Sequence, residues 1–401
     1  MSYNRKLVFA AACLGMLVFG ITLTTLGAVL PSLVERFAID KAEAGSLFLL
    51  MSLGLLAGSL VFGPIVDRYG YKGMLLAASA LILLGLQAIA FAPSFGWLRV
   101  AMPLIGFGGG VINGGTNALA ADVSEEGRSA GLSLLGVFFG IGAVGVPFSL
   151  GFLLDAFSYS ALVAALGVPV LIEILYIAAI AFPRPKQAQG FPLARAARLV
   201  GDGTLLLLGL LLFLQSGMEI TVGGWTATFF HEEMGLAGNR ALFVLSLFWF
   251  GMMLARLVLG GLLKTVSPAA VLLGCIALAA LGAGLLLMAA TLVPAAAGVF
   301  LIGAGLAAGF PVVLGYVGDR YSALSGTAFS IVLAMALTGG SVLPYLTGVV
   351  GEAQGLRASL LVVPAALVLQ ALLFAVVLRR LAAVRTAAPS PASAGGTGPG
   401  R

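Results

Sequence analysis

Apolar residues run along this chain in twelve blocks, at 7–33, 44–66, 73–93, 97–121, 129–154, 159–182, 203–230, 240–263, 268–289, 292–317, 325–350 and 358–380. About 20 residues of helix cross about 30 Å of hydrocarbon, so each block predicts one membrane helix. Each polar turn between blocks marks a return to water. The least hydrophobic interior stretch, Pro183 to Asp202, carries Pro, Gln, Gly and four basic residues at the midpoint. It reads as a linker. Residues 1–182 then form an N-terminal six-helix bundle, 183–202 a cytoplasmic linker and 203–381 a C-terminal six-helix bundle. Residues 382–401, rich in Ala, Pro, Ser and Gly, form a disordered cytoplasmic tail. Laid over itself with a shift of 197, the chain brings Gly54 onto Gly251, Gly63 onto Gly260, Ser133 onto Ser330, Gly142 onto Gly339 and Pro147 onto Pro344. One offset shared by distant regions argues for a parallel duplication of six helices, with the ligand site near the midplane between the copies.

Composition narrows the class. Of 401 residues, 61% are hydrophobic and 9% charged, and the mean hydropathy is +1.13. No soluble domain of this size tolerates such values; the chain is an integral membrane protein that meets a lipid bilayer. Its net charge of +6 is scattered over short loops, without a basic patch interleaved with aromatics, which excludes nucleic acid as a partner. Cys13 and Cys275 lie inside apolar blocks and His231 is the sole histidine, so neither a disulfide nor a metal site is expected, and no cofactor. Arg5-Lys6 precedes an apolar run of about 25 residues with no small-residue cleavage site, which is a retained first span. Placing the N-terminus in the cytoplasm puts Arg5, Lys6, Arg68, Lys72, Arg128, Arg184, Lys186, Arg195, Arg198, Lys264 and Arg320 on that side. Only Arg36, Lys41, Arg99, Arg240 and Arg357 remain opposite. Both termini are therefore expected in the cytoplasm. Short outer loops suggest a bacterial inner membrane, and the chain is expected to act as a monomer.

The loop between the second and third spans reads Gly63-Pro-Ile-Val-Asp67-Arg68-Tyr-Gly70-Tyr-Lys72. Gly63 admits a close helix approach, Asp67 can cap a neighbouring helix, and Arg68 and Lys72 hold the turn at an anionic surface. This G-x-x-x-D-R-x-G-x-K spacing resembles the loop between the second and third helices of the major facilitator superfamily. The resemblance implies that fold, an all-α membrane protein with two six-helix bundles related by a pseudo-twofold axis. It also implies that the motif latches one conformer of a transport cycle. Asp122-Val-Ser-Glu125-Glu126-Gly-Arg128 at the end of the fourth span is expected to extend the latch, with Asp122 and Arg128 as its members. An ordinary positively charged loop is the plainer reading. In the second half Lys264-Thr-Val-Ser267 stands in its place.

Polar side chains inside the spans are costly and so usually face a cavity or a partner. Asn113, Thr116 and Asn117 share one face of the fourth helix among glycines. In the seventh, Gln215 and Glu219 lie one turn apart, with Thr226 further along the same face and Trp225 beside it. Gly223-Gly224 is expected to interrupt that helix near its outer third. A carboxylate, an amide and an indole on a broken helix suit a polar ring-shaped ligand such as a sugar. Alternatively the amides are packing glue between helices, Glu219 pairs with Arg256, and Trp225 is an interfacial anchor. Phe138, Phe139, Phe310, Tyr316 and Thr338 are further candidates for the lining, against the commoner role of packing; of these, Phe139 and Thr338 join the substrate-binding set. Glu173 lies deep in the sixth span with no assigned role.

Two stretches, Asn113-Gly-Gly-Thr-Asn117 with Arg128 and Gly140-Ile-Gly-Ala-Val-Gly-Val-Pro147, and Gly217-Met-Glu219-Ile-Thr-Val-Gly-Gly-Trp225, resemble the fucose permease-like and sodium-glucose-transporter-like sugar porters. That resemblance implies movement of a monosaccharide or polyol by alternating access. The permease carries carboxylates where this chain has Asn113 and, as the match before Leu30-Pro31, Gly27. Glu219 is then the one cavity carboxylate left to couple H+ or Na+, and otherwise transport is facilitative. The rival readings are an exporter of amphipathic compounds, which wants a larger apolar cavity, and a membrane sensor on the same fold, which wants an output domain. No nucleophile–base pair argues for an enzyme.

Overall fold

The computed structural model describes residues 3–123, 128–183, 201–321 and 325–387; of these, the side chains at 63, 64, 67, 68, 121, 128–133, 325–327, 330 and 382–387 lie outside the description. Every regular element among the described residues is helical, and twelve spans are long and apolar enough to cross a membrane. They are α1 (Arg5–Phe37), α2 (Lys41–Tyr69), α3 (Tyr71–Ala90), α4 (Phe95–Val123), α5 (Arg128–Leu153), α6 (Tyr159–Ala179), α7 (Gly203–Glu232), α8 (Gly238–Leu262), α9 (Pro268–Met288), α10 (Leu292–Arg320), α11 (Ser325–Gln354) and α12 (Leu356–Leu381). The last helix continues to Ala387, beyond the point where the composition predicted a disordered tail. Apolar chain in helical form keeps hydrogen-bonding there.

Local chemistry sets the ends. Asn4 caps α1, Asp40 and Glu43 form a reciprocal capping box on α2, and Asp202 receives the Thr204 and Leu205 amides of α7. Gly70 joins α2 to α3 at φ +81°, a left-handed conformation that favours glycine and explains that member of the loop motif. The structure describes no side chain for Gly63, Asp67, Arg68 or Arg128, so those latch members lie outside what it describes. Lys72 turns inward: its Nζ donates to Ala178 O at 2.8 Å and Ile180 O at 2.9 Å, which closes the C-terminus of α6. Asp122 accepts from the Tyr71 hydroxyl at 2.7 Å, joining α4 to the start of α3.

At two of the breaks inside spans, a side chain from a neighbouring helix completes the backbone. The break at Leu166 splits α6, and Gln87 of α3 donates to Ala164 O at 3.1 Å. The break at Ala307-Ala308 splits α10, and Gln215 of α7 donates to Leu306 O at 2.6 Å. By contrast α7 is unbroken through Gly223-Gly224, contrary to expectation. Those glycines are enclosed by protein: a Cβ at Gly223 would meet Trp249 and one at Gly224 would meet Phe48, so neighbours hold the backbone helical.

The two bundles repeat one packing scheme. α1 lies on α5 and α2 on α4 in the first; α7 lies on α11 and α8 on α10 in the second. The 197-residue offset reappears as contacts. A Cβ at Gly54 would collide with Pro103 O, and one at Gly251 with Phe300 O. A Cβ at Gly106 would collide with Met51 O, and one at Gly303 with Phe248 O. Each pair is displaced by the same offset on both helices. Absent side chains let these backbones touch, which is how helices associate where lipid is as apolar as leucine. Gly106→Val and Gly303→Val are expected to destabilise equally, by about 1–3 kcal/mol of overpacking, read as matched falls in the melting temperature of the purified protein.

Candidate functional site

The bundles meet along α1–α7, α2–α11 and α5–α8. At the end away from the chain termini the meeting is tight. Gly27 of α1 packs against the Gly223 carbonyl, Gly45 of α2 lies against Tyr345 and Gly348 of α11, and Gly151 of α5 against Asn239 and Phe243 of α8. Polar groups seal this far end. Lys41 Nζ lies 3.1 Å from Glu232, the Lys41 amide donates to Glu352 at 2.9 Å, His231 faces Glu35 at 3.3 Å and Asn239 donates to Asp155 at 2.7 Å. The molecule is closed at one end.

Polar and aromatic side chains gather between the bundles in the middle of the spans. Arg256 Nη2 of α8 donates to Glu219 Oε1 of α7 at 3.0 Å. The Arg256 side chain keeps 31% of its exposure, and Glu219 keeps 11%. The guanidinium lies 6.0 Å from the Phe139 ring of α5, on the other bundle. Phe139 meets Phe19 at 5.6 Å and the edge of Trp249 at 6.1 Å, and Gly140 leaves room for Met253. On α4, Asn117 donates to both the backbone and the side-chain oxygen of Asn113, at 2.8 and 3.1 Å, and reaches Met16 Sδ at 3.9 Å. Both amides are half-buried. The contacts between the bundles thus offer a guanidinium, a carboxylate and an aromatic wall, and α4 carries two half-buried amides against α1.

Of the residues named from sequence, Glu219 and Phe139 meet Arg256 here, while Asn113 and Asn117 lie on α4 beside Met16 of α1. Gln215, Trp225 and Thr116 do not. Gln215 is 1% exposed, committed to Leu306 O and Gln370 Nε2. Trp225 is 0% exposed, its Nε1 donating to Pro344 O at 3.0 Å with Phe48 beside it, so the ring is part of the bundle interface and unavailable for stacking on a ligand in this conformer. Thr116 is buried against α1 and bonds back to Ile112 O. Thr338 is exposed, with its hydroxyl bonded back to Ala334 O. Glycines on both helices decide these outcomes by letting neighbours crowd α7 from every side, which a single helical face does not register. Arg256, Met16 and Trp249 enter the site beyond the expected set. The possible pairing of Arg256 with Glu219 was the sequence signal for the first, and nothing in the sequence marked the others.

The Major Facilitator Superfamily model matches residues 12–297. The chain belongs to the major facilitator superfamily. Among its relatives are the yeast Bypass of stop codon protein 6, 22% identical over 64% of this chain and 56% of that protein, and the 3-(3-hydroxy-phenyl)propionate transporter of Escherichia coli, 36% identical over 27% of each. The human solute carrier family 2, facilitated glucose transporter member 10 is 32% identical over 24% of this chain and 18% of its own length. These matches span 56%, 27% and 18% of the relatives' lengths. Similar folds are seen in the crystal structure of the nucleoside transporter NupG, at a TM-score of 0.80, 14% identity and coverage of 93% and 100%, and in that of the D-xylose-proton symporter, at 0.78, 16%, 93% and 97%. With twelve spans apolar enough to cross a bilayer, it is an integral membrane protein of that family.

Two outcomes follow from the placements. Gln215→Ala is expected to lower melting stability by about 1–3 kcal/mol, because Leu306 O is left buried without a donor, while solute affinity stays as in the unaltered protein; loss of affinity at unchanged stability would return Gln215 to the site. Lys41→Met removes one exposed contact of the far end, worth about 0.2–1 kcal/mol. It is expected to raise far-end opening about 1.4- to 5-fold, measured by spin-label distances across that end.

Proposed function

We propose that this chain moves a small neutral polar solute, a monosaccharide or polyol, across a bacterial inner membrane by alternating access. Both termini lie in the cytoplasm, so the sealed far end is extracellular and this conformer faces inward. The observation that carries the reading is the Glu219–Arg256 pair beside the Phe139 ring, with the half-buried Asn113 and Asn117 amides on α4 against α1. The pair sums to zero charge, and the group presents donors and acceptors together. A polyhydroxylated ring needs both, plus an apolar wall for its carbon face. Only one Arg256 nitrogen is committed to Glu219, so the rest of its fork can reach solute oxygens. Glu219 is then an acceptor for solute hydroxyls. The glucose-transporter relative is consistent with this class. Rocking of the bundles about the central pair would exchange the far-end contacts for contacts at the other end, where the loop motif and Asp122 act as the latch.

A second reading is favoured by one observation. A guanidinium beside Phe139, with Trp249 behind it, would suit a hydroxylated aromatic carboxylate, the kind of compound named for the E. coli relative.

Glu219→Gln separates the two with opposite signs. A neutral polyol loses a charge-assisted hydrogen bond of about 1.5–3 kcal/mol, so its affinity should fall about 10- to 100-fold. An aromatic carboxylate gains an unpaired Arg256 and should bind more tightly. Thermal-shift titrations against monosaccharides, polyols and hydroxybenzoates read both signs in one assay. If neither class binds and lipophilic cations do, the protein is an exporter.

A further inference from the structure

Glu173 of α6 lies outside the central site and is 0% exposed. Both of its carboxyl oxygens lack a hydrogen-bond partner, and so does the Ser79 hydroxyl that faces it from α3. On the α1 side stands Gly15, where an added Cβ would lie 3.4 Å from Glu173 Oε1 and 2.5 Å from Thr116 Cγ2 of α4. Four helices thus enclose one carboxyl that faces a single hydroxyl, that of Ser79, and no counter-charge.

The groups on those helices leave it alone. Cys13 of α1 is a buried thiol, Lys72 of α3 is spent on the α6 carbonyls, Asp122 of α4 holds Tyr71, and Tyr176 of α6 donates to Leu7 O. Among the described residues no cation pairs with Glu173. A carboxylate without water, donor or counter-charge is strongly disfavoured, whereas a carboxylic acid in the same place is only a polar neutral group. Three unpartnered oxygens also fall short of the six or more that a hard metal cation gathers.

The helices around Glu173 also carry residues of the site. Thr116 precedes Asn117, and Gly15 precedes Met16, whose sulfur receives Asn117. Further along α1, Gly27 packs on α7. A change of charge at Glu173 therefore acts on the helix that forms both one wall of the site and part of the far-end seal.

We propose that Glu173 is the proton-carrying group of this transporter: it takes one proton from water when the helices around it part toward one side, becomes a neutral acid inside the bundle, and returns the proton to water on the other side. The proposal rests on the transporter reading and relieves Glu219 of the coupling role. No electrons move, and one positive charge crosses with each neutral solute.

The test uses the full chain in two measurements. In infrared difference spectra of the purified protein, the wild type should show the carbonyl stretch of a protonated carboxyl near neutral pH, kept in Glu219→Gln and lost in Glu173→Gln. A wild type without that band, or a band that survives Glu173→Gln and vanishes with Glu219→Gln, overturns the proposal whether or not a variant transports. In proteoliposomes, a pH gradient should drive accumulation by the wild type of a monosaccharide or polyol from the panel. Glu173→Gln, checked for folding by its melting curve, should still exchange labelled solute but stop at equal concentrations, without alkalinising the outside. Accumulation that persists in Glu173→Gln, or that follows a sodium gradient, overturns it. If the wild type exchanges no solute, the transporter reading fails, while the infrared band still decides the proton site.

Discussion

A polypeptide in hydrocarbon has no water to satisfy a stray carbonyl, and much of this structure follows from that constraint. It explains why every described span is helical. It also explains why two of the internal breaks carry a glutamine from a neighbouring helix, Gln87 at α6 and Gln215 at α10. The C-termini of α3 and α9 receive arginines for the same reason: Arg36 donates to Ala90 O and Ala92 O, and Arg357 to Leu287 O and Ala289 O. Once these demands are met inside protein, helices associate through glycine-lined faces. The bundles then differ from a soluble core in having backbone against backbone where side chains would normally interdigitate.

The central site inherits its composition from the same rule. A charged pair within the spans persists because each member supplies the other with a partner and both keep some exposure. Phe139 connects the pair to the other bundle without a hydrogen bond, so the two bundles meet at the site through a ring face and at the far end through ions. Under the transport cycle proposed above, that division lets one end be released while the centre stays in contact. Apolar and cation–ring contacts tolerate sliding, and ion pairs are made or broken outright.

How much of this was legible in the sequence depended on whether the signal was periodic or directional. Twelve spans, the duplication and the family could all be read, because length, offset and the loop motif survive without knowing what faces what. Glu219 with Arg256 was readable as one of two alternatives, since opposite charges on adjacent spans have few other partners. The fate of Gln215 and Trp225 was not. α7 is enclosed by α1, α8, α10, α11 and α12, so a polar residue on any of its faces can find a partner, and one helical turn separates a cavity group from a break-filling one. Gly223-Gly224 misled for a related reason: glycine marks either a break or a close approach, and the choice lies with Gly27, Phe48 and Trp249 on other helices. Glu173 was visible as an oddity, but its isolation is a property of four helices at once.

The arginine caps have a further consequence. Position 36 shifted by 197 is Glu233, so Arg357 is not its repeat. Yet the carbonyls at 90 and 92, shifted by 197, are those at 287 and 289. The duplicated chain kept the acceptors and recruited a different donor in each copy. Each donor nonetheless belongs to the same copy as its acceptors, as do Gln87 and Lys72 in one and Gln215 in the other. During synthesis, the first six helices can therefore complete these bonds before the seventh leaves the ribosome. The far-end contacts, which join the copies, are left to form last.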